Sequence, residues 1–386
     1  MEMTRRKLLF TGAAVAAQTQ MRAQTGKPVN VALIGAGHRA WAHIAVLKAI
    51  PGFRIAGIAD PTPQFLQQAV ALAGPDVPVY ADYRKMLDDR KDLQAVFVVT
   101  PGGLHAEPAV ACLERGLSVL CEKPMATTMA DAARVIAAAE RAGTVLQIGL
   151  QMRCTPYYQK VFELVRSGAV GSVQLVSWNL FRGDWNPQSW RAVDPKTGQP
   201  TIWRLLTKYT GSSLLEDGIH EIDVVNWIVG SRVKQVYATG GNNVFKNRET
   251  IDHASVVMEY ENGVKFHLGF SLFAPSAGSP GRALTVIGTD GVINLEPWKL
   301  VLRNPAAEPR DVEVASGAPA ELLNQAIGRD LDAGTYRQAL AFLDSVRTGR
   351  KPVCDAQVGR EAMRVSLLAE QSLRERRVVN RSELPV

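Results

Sequence analysis

The sequence predicts an α/β protein in two parts: an N-terminal domain with a parallel sheet between helices, then an α+β domain with a largely antiparallel sheet. Three observations favour this fold class. Short apolar segments alternate with Ala-rich helical segments up to about residue 150, which is typical of a parallel sheet covered on both faces. A glycine-rich turn directly follows the first apolar segment. After residue 153, longer segments alternate in polarity, as antiparallel strands with one face in the core do. We therefore place the domains at residues 27–150 and 151–386.

The composition is that of a globular chain long enough for two domains. Its 386 residues are 46% hydrophobic and 21% charged, values that exclude a collagen, a coiled coil and a mostly disordered chain. No segment approaches the roughly 18 consecutive apolar residues of a membrane span, so we expect no stable membrane insertion. The formal net charge is +7, without a dense stripe of lysine and arginine, so we expect no nucleic-acid partner.

Neither the cysteines nor the short motifs indicate a metal. The four cysteines are scattered, without a CxxC pair or histidines at zinc spacing, so they predict small buried side chains rather than a disulfide framework or a zinc site. The sequence also contains no HExxH or EF-hand pattern, and we therefore predict no metal.

The first 25 residues resemble an export signal. Arg5, Arg6 and Lys7 precede a short Ala-rich apolar run, and a charged start followed by a short apolar region is typical of a signal peptide. The paired arginines resemble the twin-arginine type. We expect export of the folded protein by that route to the periplasm or another extracytoplasmic location, and we leave residues 1–25 out of the fold prediction.

The N-terminal strands and helices alternate in the order that a parallel sheet needs. The predicted strands are residues 31–34, 53–59, 95–100, 117–121 and 145–149. Helical segments at residues 108–115 and 130–142 lie between the later strands. Continuous apolar runs separated by helices predict strands that are buried on both faces.

The turn after the first strand has the pattern GxGxxA. Gly35 permits the tight turn, Gly37 allows a phosphate to approach the backbone, and Ala40 is small enough for close packing of helix on strand. The helix beginning near His38 directs its amide groups at that position. Asp60 ends the second strand, where a carboxylate accepts hydrogen bonds from a ribose. Together these features predict a dinucleotide site.

The identity of the dinucleotide depends on two neighbouring charges. Asp60 repels a 2′-phosphate and so favours NAD, whereas Arg39 could receive a 2′-phosphate, which leaves NADP open. We count His38 and Arg39 among the cofactor-binding candidates because they follow the turn directly. We expect His38 and His43 on the surface of the helix rather than in catalysis.

Two further motifs indicate a particular protein family more specifically than the glycine-rich turn does. A TPxxxH motif at residues 100–105 follows one strand, and an EKP motif at residues 122–124 follows the next. With the glycine-rich turn, they resemble the Gfo/Idh/MocA oxidoreductases, the family of glucose–fructose oxidoreductase and inositol dehydrogenase, over nearly all of the chain after the signal. The resemblance implies a Rossmann domain for NAD(P) and a second domain that binds substrate and supports dimers or tetramers. Thr100 and Pro101 would line the cofactor cleft, and His105 would either line it or cap the following helix.

The resemblance also implies that Lys123 is a catalytic and substrate-binding residue beside the nicotinamide. The position of Lys123 in the sequence agrees with this role, since it follows a predicted strand at the edge of the sheet where open α/β folds bind ligands. Pro124 restricts the backbone of Lys123 and so helps to fix its direction. We expect Glu122 to orient Lys123 or to hold the cofactor.

The C-terminal part is predicted to form strands and one helix that carries chemistry. The predicted strands are residues 173–181, 236–240, 254–260, 264–270 and 283–287. In the helical segment 214–227, Glu216 and Asp217 lie four and three residues before His220, so each acid shares a face with it. The family often has Asp in the place of Glu216, so which acid meets the substrate stays open. His220 would take a proton from a hydroxyl as hydride leaves the same carbon; alternatively, it is a structural histidine bonded to Asp223 or Glu216.

A polar, tryptophan-rich segment at residues 182–209 has no clear periodicity. Tryptophan stacks on sugar rings, and a loop of this length in a compact domain is often functional. We predict a lid over the substrate, with packing on the sheet or on a partner subunit as the alternative. The candidate substrate-binding residues are Arg153, Asp184, Trp185, Trp190, Trp203 and Tyr209.

These features favour an NAD(P)-dependent oxidoreductase that acts on a sugar, polyol or sugar derivative. Free NAD is scarce outside the cytoplasm, so an exported enzyme would hold its cofactor tightly and recycle it. Two alternatives remain: a redox-neutral NAD-dependent glycoside hydrolase, which oxidises, eliminates, hydrates and reduces, and a non-catalytic sugar-binding relative.

Overall fold

The computed structural model describes residues 26–183, 191–274, 282–296, 299–304, 307–315, 318–319 and 333–384. Within these residues the chain forms a six-stranded sheet, a nine-stranded sheet and a separate two-stranded hairpin. The first sheet is parallel throughout and the second is mostly antiparallel, so the predicted fold class is confirmed.

The parallel sheet has the strand order β3-β2-β1-β4-β5-β6. Its strands are β1 (Val29–Ile34), β2 (Phe53–Ala59), β3 (Val79–Tyr80), β4 (Ala95–Val98), β5 (Ser118–Cys121) and β6 (Leu146–Ile148). Its helices are α1 (His38–Ala49), α2 (Pro63–Ala73), α3 (Tyr83–Asp89), α4 (Ala106–Leu113) and α5 (Met129–Ala142). The strand order reverses between β1 and β4, and ligands of open α/β sheets bind at such a switch point.

Strand β1 shows why its sequence is continuously apolar. Val31 and Leu33 face a core that includes Ile44 of α1, whereas Ala32 and Ile34 face the opposite core. Both faces are therefore covered, and burial of each large aliphatic side chain contributes about 2 kcal/mol.

The nine-stranded sheet has the order β16-β15-β14-β13-β7-β12-β11-β10-β17. Its strands are β7 (Val173–Phe181), β10 (Val233–Gly241), β11 (His253–Tyr260), β12 (Lys265–Ser271), β13 (Arg282–Gly288), β14 (Val292–Glu296), β15 (Lys299–Asn304), β16 (Ala307–Asp311) and β17 (Val379–Asn380). Neighbouring strands are antiparallel except β7 and β12. That pair is parallel because the chain leaves the sheet after β7 and returns through β10 and β11.

The remaining elements connect the sheets and cover them. The hairpin strands are β8 (Arg191–Val193) and β9 (Pro200–Ile202), and the helices are α6 (Pro156–Arg166), α7 (Thr207–Thr210), α8 (Ile219–Val229), α9 (Ala333–Thr348) and α10 (Ala356–Glu375). Short 3₁₀ turns are Gly102–Leu104, Gln151–Cys154, Trp203–Leu205 and Arg381–Glu383, and a π-helical turn is Leu214–Gly218.

The last two helices join the domains. Phe342 and Leu343 of α9 pack in the core that covers one face of the parallel sheet. Helix α10 places Met363 in the core on the other face, and Leu368 in the core of the large sheet. Helix α10 therefore packs in the cores of both domains.

The described residues also show the state of the cysteines and the character of the helices. All four cysteines are buried free thiols, as predicted, and burial raises the pKa of Cys112 to about 12. Among the helices of the described part, none combines the length and apolar character that crossing a membrane requires.

Candidate active site

A cavity of about 750 Å³ lies between the two domains at the carboxyl ends of β1, β2, β4 and β5. The N-terminal domain contributes the glycine-rich turn and the loops after β2, β4 and β5. The C-terminal domain contributes the end of β7, the β8–β9 hairpin, the segment before α7, and the π turn with the start of α8. In the described part of the chain, no group of three or more His, Cys, Asp or Glu side chains is arranged to hold a metal.

The two glycines of the turn have different reasons to be glycine. Gly35 has φ +100°, and a Cβ there would lie 2.6 Å from the carbonyl oxygen of Val99, so the fold itself requires glycine. Gly37 has φ −73°, and a Cβ there would meet nothing nearer than the Phe65 ring at 3.6 Å. Protein contacts thus leave space at Gly37, on the cavity wall, where a pyrophosphate would approach. Ala40 is fully buried in the core under α1, which is the close packing that its small size predicts.

Asp60 supports the turn from the next strand. Its Oδ2 accepts a hydrogen bond from the Ala36 amide at 2.8 Å, and its Oδ1 accepts one from the Thr62 amide at 2.7 Å. Burial raises the pKa of Asp60 above its ordinary value, although these hydrogen bonds oppose that effect. A carboxylate has about four acceptor positions, so Asp60 can still accept from ribose hydroxyls. The residues present therefore fit a dinucleotide.

Arg39 and His43 are both directed at Glu122. Arg39 Nε donates to Glu122 Oε1 at 2.7 Å, and His43 Nε2 lies 2.8 Å from the same oxygen. His43 is almost completely buried, and its ring packs against Phe97, so the prediction of a helix-surface position for His43 is wrong: that face of α1 covers the sheet. Burial would raise the pKa of Glu122, but Arg39 and His43 hold it well below its ordinary value. Arg39 and His38 both line the cavity, and the Nε of Arg39 is engaged by Glu122 there.

His105 occupies the N-cap position of α4, as one of the two alternatives predicted, but its side chain makes no capping hydrogen bond and does not line the cavity. Its Nδ1 lies 2.6 Å from the Pro124 carbonyl oxygen and its Nε2 lies 2.6 Å from the Thr100 carbonyl oxygen. Burial lowers the pKa of this imidazole. The ring instead ties together the loops after β4 and β5, which carry Thr100 and Lys123. Thr100 and Pro101 do line the cavity.

Lys123 crosses the cleft to the C-terminal domain. Its Nζ donates to the Glu216 backbone carbonyl at 2.5 Å and to Glu216 Oε1 at 3.1 Å. The Lys123–Pro124 peptide bond is cis. The side chain is largely buried, and Lys123 lines the cavity.

The π turn brings adjacent acids to one wall. Glu216 and Asp217 are buried, and both line the cavity together with His220 from the first turn of α8. A π turn is wider than an α turn and is frequent at functional sites. The sequence predicted a regular helix here, whereas the segment begins with a π turn. Both acids line the cavity, so the choice between Glu216 and Asp217 as the acid that meets the substrate stays open.

Two arginines hold Asp217 ionised. Its Oδ1 accepts from Arg204 Nη2 at 2.6 Å and from Arg182 Nη1 at 2.7 Å. Burial would raise the pKa of Asp217, but these guanidinium groups and Lys123 hold it well below its ordinary value. Asp217 Oδ2, Glu216 Oε2 and Gln151 Oε1 have no hydrogen-bond partner within the described residues. This wall therefore carries acceptor capacity that suits a ligand with several hydroxyl groups.

The structure brings only some of the predicted substrate-binding residues to the cavity. Trp203 and Tyr209 line it. Arg153 does not: its Nε and Nη2 bind the two carboxylate oxygens of Asp223 at 2.8 and 2.6 Å, in a buried pair away from the wall. This pairing also occupies Asp223, one of the alternative partners considered for His220. The remaining candidates, Asp184, Trp185 and Trp190, lie outside the described residues.

Sequence reasoning missed Asp194, which lines the cavity and is almost fully buried. Its carboxylate accepts hydrogen bonds from the Tyr209 hydroxyl and from the Lys196 amide at 2.8 Å. The hydrogen bond from Tyr209 holds the pKa of Asp194 below its ordinary value. A local signal existed, because residues 194–198 combine Asp-Pro with a later glycine, as a hairpin turn does. Arg182 and Arg204 stood in the tryptophan-rich segment, but nothing local indicated their partner Asp217.

The comparisons with known proteins agree with this geometry. Residues 29–150 match the family described as "Oxidoreductase family, NAD-binding Rossmann fold", and residues 158–294 match the "GFO/IDH/MocA C-terminal domain". Inositol 2-dehydrogenase 2 of Saccharopolyspora erythraea is 30% identical over 272 residues, which cover 70% of this chain and 74% of that protein. The 2,7-anhydro-N-acetylneuraminate hydratase of Mediterraneibacter gnavus is 27% identical over 285 residues, covering 70% and 68%. The structure of levoglucosan dehydrogenase with NADH and levoglucosan superimposes with a TM-score of 0.79 over 93% of this chain and 100% of that one, at 22% identity, which shows a shared fold.

Proposed function

The chain belongs to the GFO/IDH/MocA family of NAD(P)-dependent oxidoreductases, and we propose that it transfers hydride between NAD and a carbinol carbon of a sugar, polyol or sugar derivative. One observation carries the proposal. Lys123, Glu216, Asp217 and His220 lie on the same cavity as the glycine-rich turn, so proton-handling groups and a dinucleotide site share one space.

The chain's own residues suit NAD. The open space at Gly37 and the amides at the start of α1 would hold the pyrophosphate, with no acidic side chain in the first turn of α1 to oppose it. Asp60 would accept the ribose hydroxyls, and Arg39 is engaged by Glu122 rather than available to a 2′-phosphate. When bound, the nicotinamide ring supplies the hydride acceptor or donor. Thr100 and Pro101 would border it.

Proton transfer would divide between Lys123 and His220. The ammonium group of Lys123, fixed by the Glu216 carbonyl, donates a hydrogen bond to the substrate oxygen and stabilises the negative charge that develops there. An imidazole nitrogen of His220 accepts the hydroxyl proton as hydride leaves the same carbon, and the carbinol becomes a carbonyl. Glu216 and Asp217, both bound by Arg204, accept hydrogen bonds from neighbouring hydroxyl groups.

The first test is to denature the purified protein, isolated without added nucleotide, and to identify any released dinucleotide by mass spectrometry. Inositols, aldoses and anhydrosugars are then offered with NAD, and the absorbance of reduced nicotinamide is followed. We expect NAD rather than NADP, and reduction of NAD by at least one polyhydroxylated substrate. A protein that binds neither dinucleotide, before or after addition, would contradict the proposal.

A second candidate function is a redox-neutral conversion, and the hydratase relative favours it. Such a cycle oxidises the substrate, eliminates or adds a group, and reduces the product with the same cofactor, so no net NADH appears. It needs an acid or base beyond the hydride-transfer pair, and the two buried acids of the π turn supply one. Conversion of an anhydrosugar or glycoside, with no change in nicotinamide absorbance and with deuterium from solvent in the product, would identify it.

We also propose export with the cofactor bound, on the basis of the N-terminal pattern. Replacing both Arg5 and Arg6 by lysine should keep the protein in the cytoplasm, while the unaltered chain reaches the periplasm. Cell fractionation measures the outcome, and equal distribution of the two proteins would contradict export by the twin-arginine route.

A homo-oligomer is the remaining part of the proposal. The open face of the large sheet exposes apolar side chains in cross-strand pairs, Tyr237 opposite Val257 and Leu175 opposite Ile287. Exposed apolar pairs of this kind mark protein contacts. Light scattering should give a dimer or tetramer, and Tyr237→Lys should shift it towards the monomer; a monomeric parent protein would contradict this.

A further inference from the structure

We propose that residues 193–209, here called the strap, close over the middle of the bound dinucleotide and limit how fast it enters and leaves. The inference rests on the proposed function for the identity of the ligand. It assigns the strap to the cofactor as well as to the substrate, for which the sequence predicted a lid. The strap contains β9, the 3₁₀ turn Trp203–Leu205 and α7, and belongs to the C-terminal domain.

One end of the strap is fixed beside the ribose site. The Val193 amide donates a hydrogen bond of 3.0 Å to the Thr62 hydroxyl oxygen. Thr62 is buried, and its own amide donates to Asp60. Val193 is therefore two hydrogen bonds away from the carboxylate that would hold the ribose, and it reaches that position from the other domain.

The other end is fixed on the loop after β4. A Cβ on Gly102 would lie 3.4 Å from the Tyr209 carbonyl oxygen. A Cβ on Gly103 would overlap the Lys208 carbonyl oxygen. The backbone of α7 therefore rests directly on this loop, and the two glycines permit the contact.

The strand order determines what lies beneath the strap. Thr62 follows β2 and Gly102 follows β4, while β1 lies between these two strands in the sheet. The glycine-rich turn follows β1 and so lies between these two fixed points, and residues 193–196 of the strap line the same cavity as Gly35 and Gly37. The pyrophosphate of a dinucleotide would lie at this turn, and the strap would cross above it.

Asp194 links the two ends of the strap into one unit. Its carboxylate accepts the hydroxyl of Tyr209 and, at 3.1 Å, the ammonium of Lys208. It also accepts the Lys196 amide within the β8–β9 turn. Because Val193, Asp194, Pro195 and Lys196 line the cavity, these bonds hold the strap against the ligand space. Opening the strap requires their loss.

A gate differs from a simple contact in its kinetics. A residue that only touches the ligand changes the dissociation rate constant, whereas a gate that opens more easily raises both the association and the dissociation rate constants. The equilibrium dissociation constant then changes little. This difference separates the strap from the alternative that these residues merely bind the cofactor.

The experiment measures NADH association and release by stopped-flow fluorescence in the parent protein, Asp194→Ala and the control Asp194→Asn, which keeps an acceptor oxygen. Loss of hydrogen bonds worth about 1.4 kcal/mol corresponds to a roughly tenfold change. We expect both rate constants to rise about tenfold in Asp194→Ala and less in Asp194→Asn. Thr62→Val should behave like Asp194→Ala, and Thr62→Ser like the parent protein.

Hydrogen exchange of the parent protein gives a measurement that does not depend on a variant folding. NADH should protect the amides of residues 193–202 as strongly as those of the glycine-rich turn. Unchanged rate constants, a change in dissociation alone, or strap amides that NADH leaves unprotected would overturn the inference. A parent protein that binds no NADH would instead overturn the proposed function.

Discussion

The two halves of the cavity are built in different ways. The N-terminal half is built mainly from backbone: a glycine-rich turn, helix amides and the ends of successive parallel strands, between residues 34 and 123. The C-terminal half is made of charged side chains, in which Lys123, Arg204 and Arg182 bind Glu216 and Asp217. The first half depends on local sequence, whereas the second depends on partners far apart in the chain. The comparison shows why the cofactor site was visible in the sequence while most of the substrate wall was not.

Lys123 joins the two halves, so its replacement tests the comparison most strongly. In Lys123→Met the substrate oxygen loses its cationic donor, and kcat should fall about 10³-fold, while the NADH dissociation constant changes little. Lys91→Met, at an exposed lysine, is the matched control. Steady-state kinetics and NADH titration give both values. If affinity for NADH and kcat fell together, Lys123 would belong to the cofactor half alone.

The glycine pair tests the backbone-built half. Gly35→Ala should lower the free energy of unfolding by about 3 kcal/mol, because its positive φ and the nearby Val99 carbonyl oppose a Cβ. Gly37→Ala should leave stability within about 0.5 kcal/mol, yet weaken NADH binding about tenfold by filling the pyrophosphate space. Thermal melts and NADH titration separate the two outcomes. If Gly37→Ala bound NADH as tightly as the parent protein, the turn would not be part of the dinucleotide site.

Individual residues show which parts of the site could be predicted from the sequence. The cavity positions of Gly35, Gly37, Asp60 and Lys123 could be predicted because each motif lies at the end of a strand that its own apolar run predicts. By contrast, Arg153 was expected at the substrate, but its partner Asp223 is 70 residues away, and no local pattern reveals such a pair.

Other misses have equally physical causes. The position of His105 was predictable, but its two carbonyl partners were not, because they belong to different loops. The π turn could not be foreseen either, since a helical pattern does not reveal a one-residue widening. The parallel sheet and the mostly antiparallel sheet were predictable because hydrophobic periodicity records burial.

The two arginines on Asp217 test the side-chain half. Arg204→Met removes a buried guanidinium group that forms ion pairs with both Glu216 and Asp217. Because the two buried carboxylates lose this positive partner, the free energy of unfolding should fall by about 2 to 3 kcal/mol. Arg182→Met removes a more exposed partner of the same carboxylate and should cost about 1 kcal/mol or less. Denaturant unfolding measures both. Equal losses in the two variants would mean that the burial of an arginine does not determine how much its ion pair with Asp217 contributes to the free energy of unfolding.

The smallest expected effect concerns Glu122, whose carboxylate is bound by Arg39 and His43 in the half of the cavity that is built mainly from backbone. The pKa of Glu122 is held below its ordinary value of 4.5, so its ionisation stabilises the fold above that value. The stability is lost as the pH falls towards the lower folded-state pKa. Glu122→Gln lacks this titration: it should be less stable at neutral pH by about 1 to 2 kcal/mol, because Arg39 loses its partner, and it should lose less stability on acidification.

Melting temperatures between about pH 6 and pH 3 check this expectation, with Glu114→Gln, at an exposed carboxylate, as the control that should follow the parent protein. Parallel acid profiles of the parent and Glu122→Gln would mean that Glu122 contributes no pH-dependent stability. A flatter profile would mean that the cofactor half, although visible in the sequence through its glycines, is also anchored by a buried ion pair that joins residues 83 positions apart. Local motifs would then identify this half of the site without accounting for all of its stability.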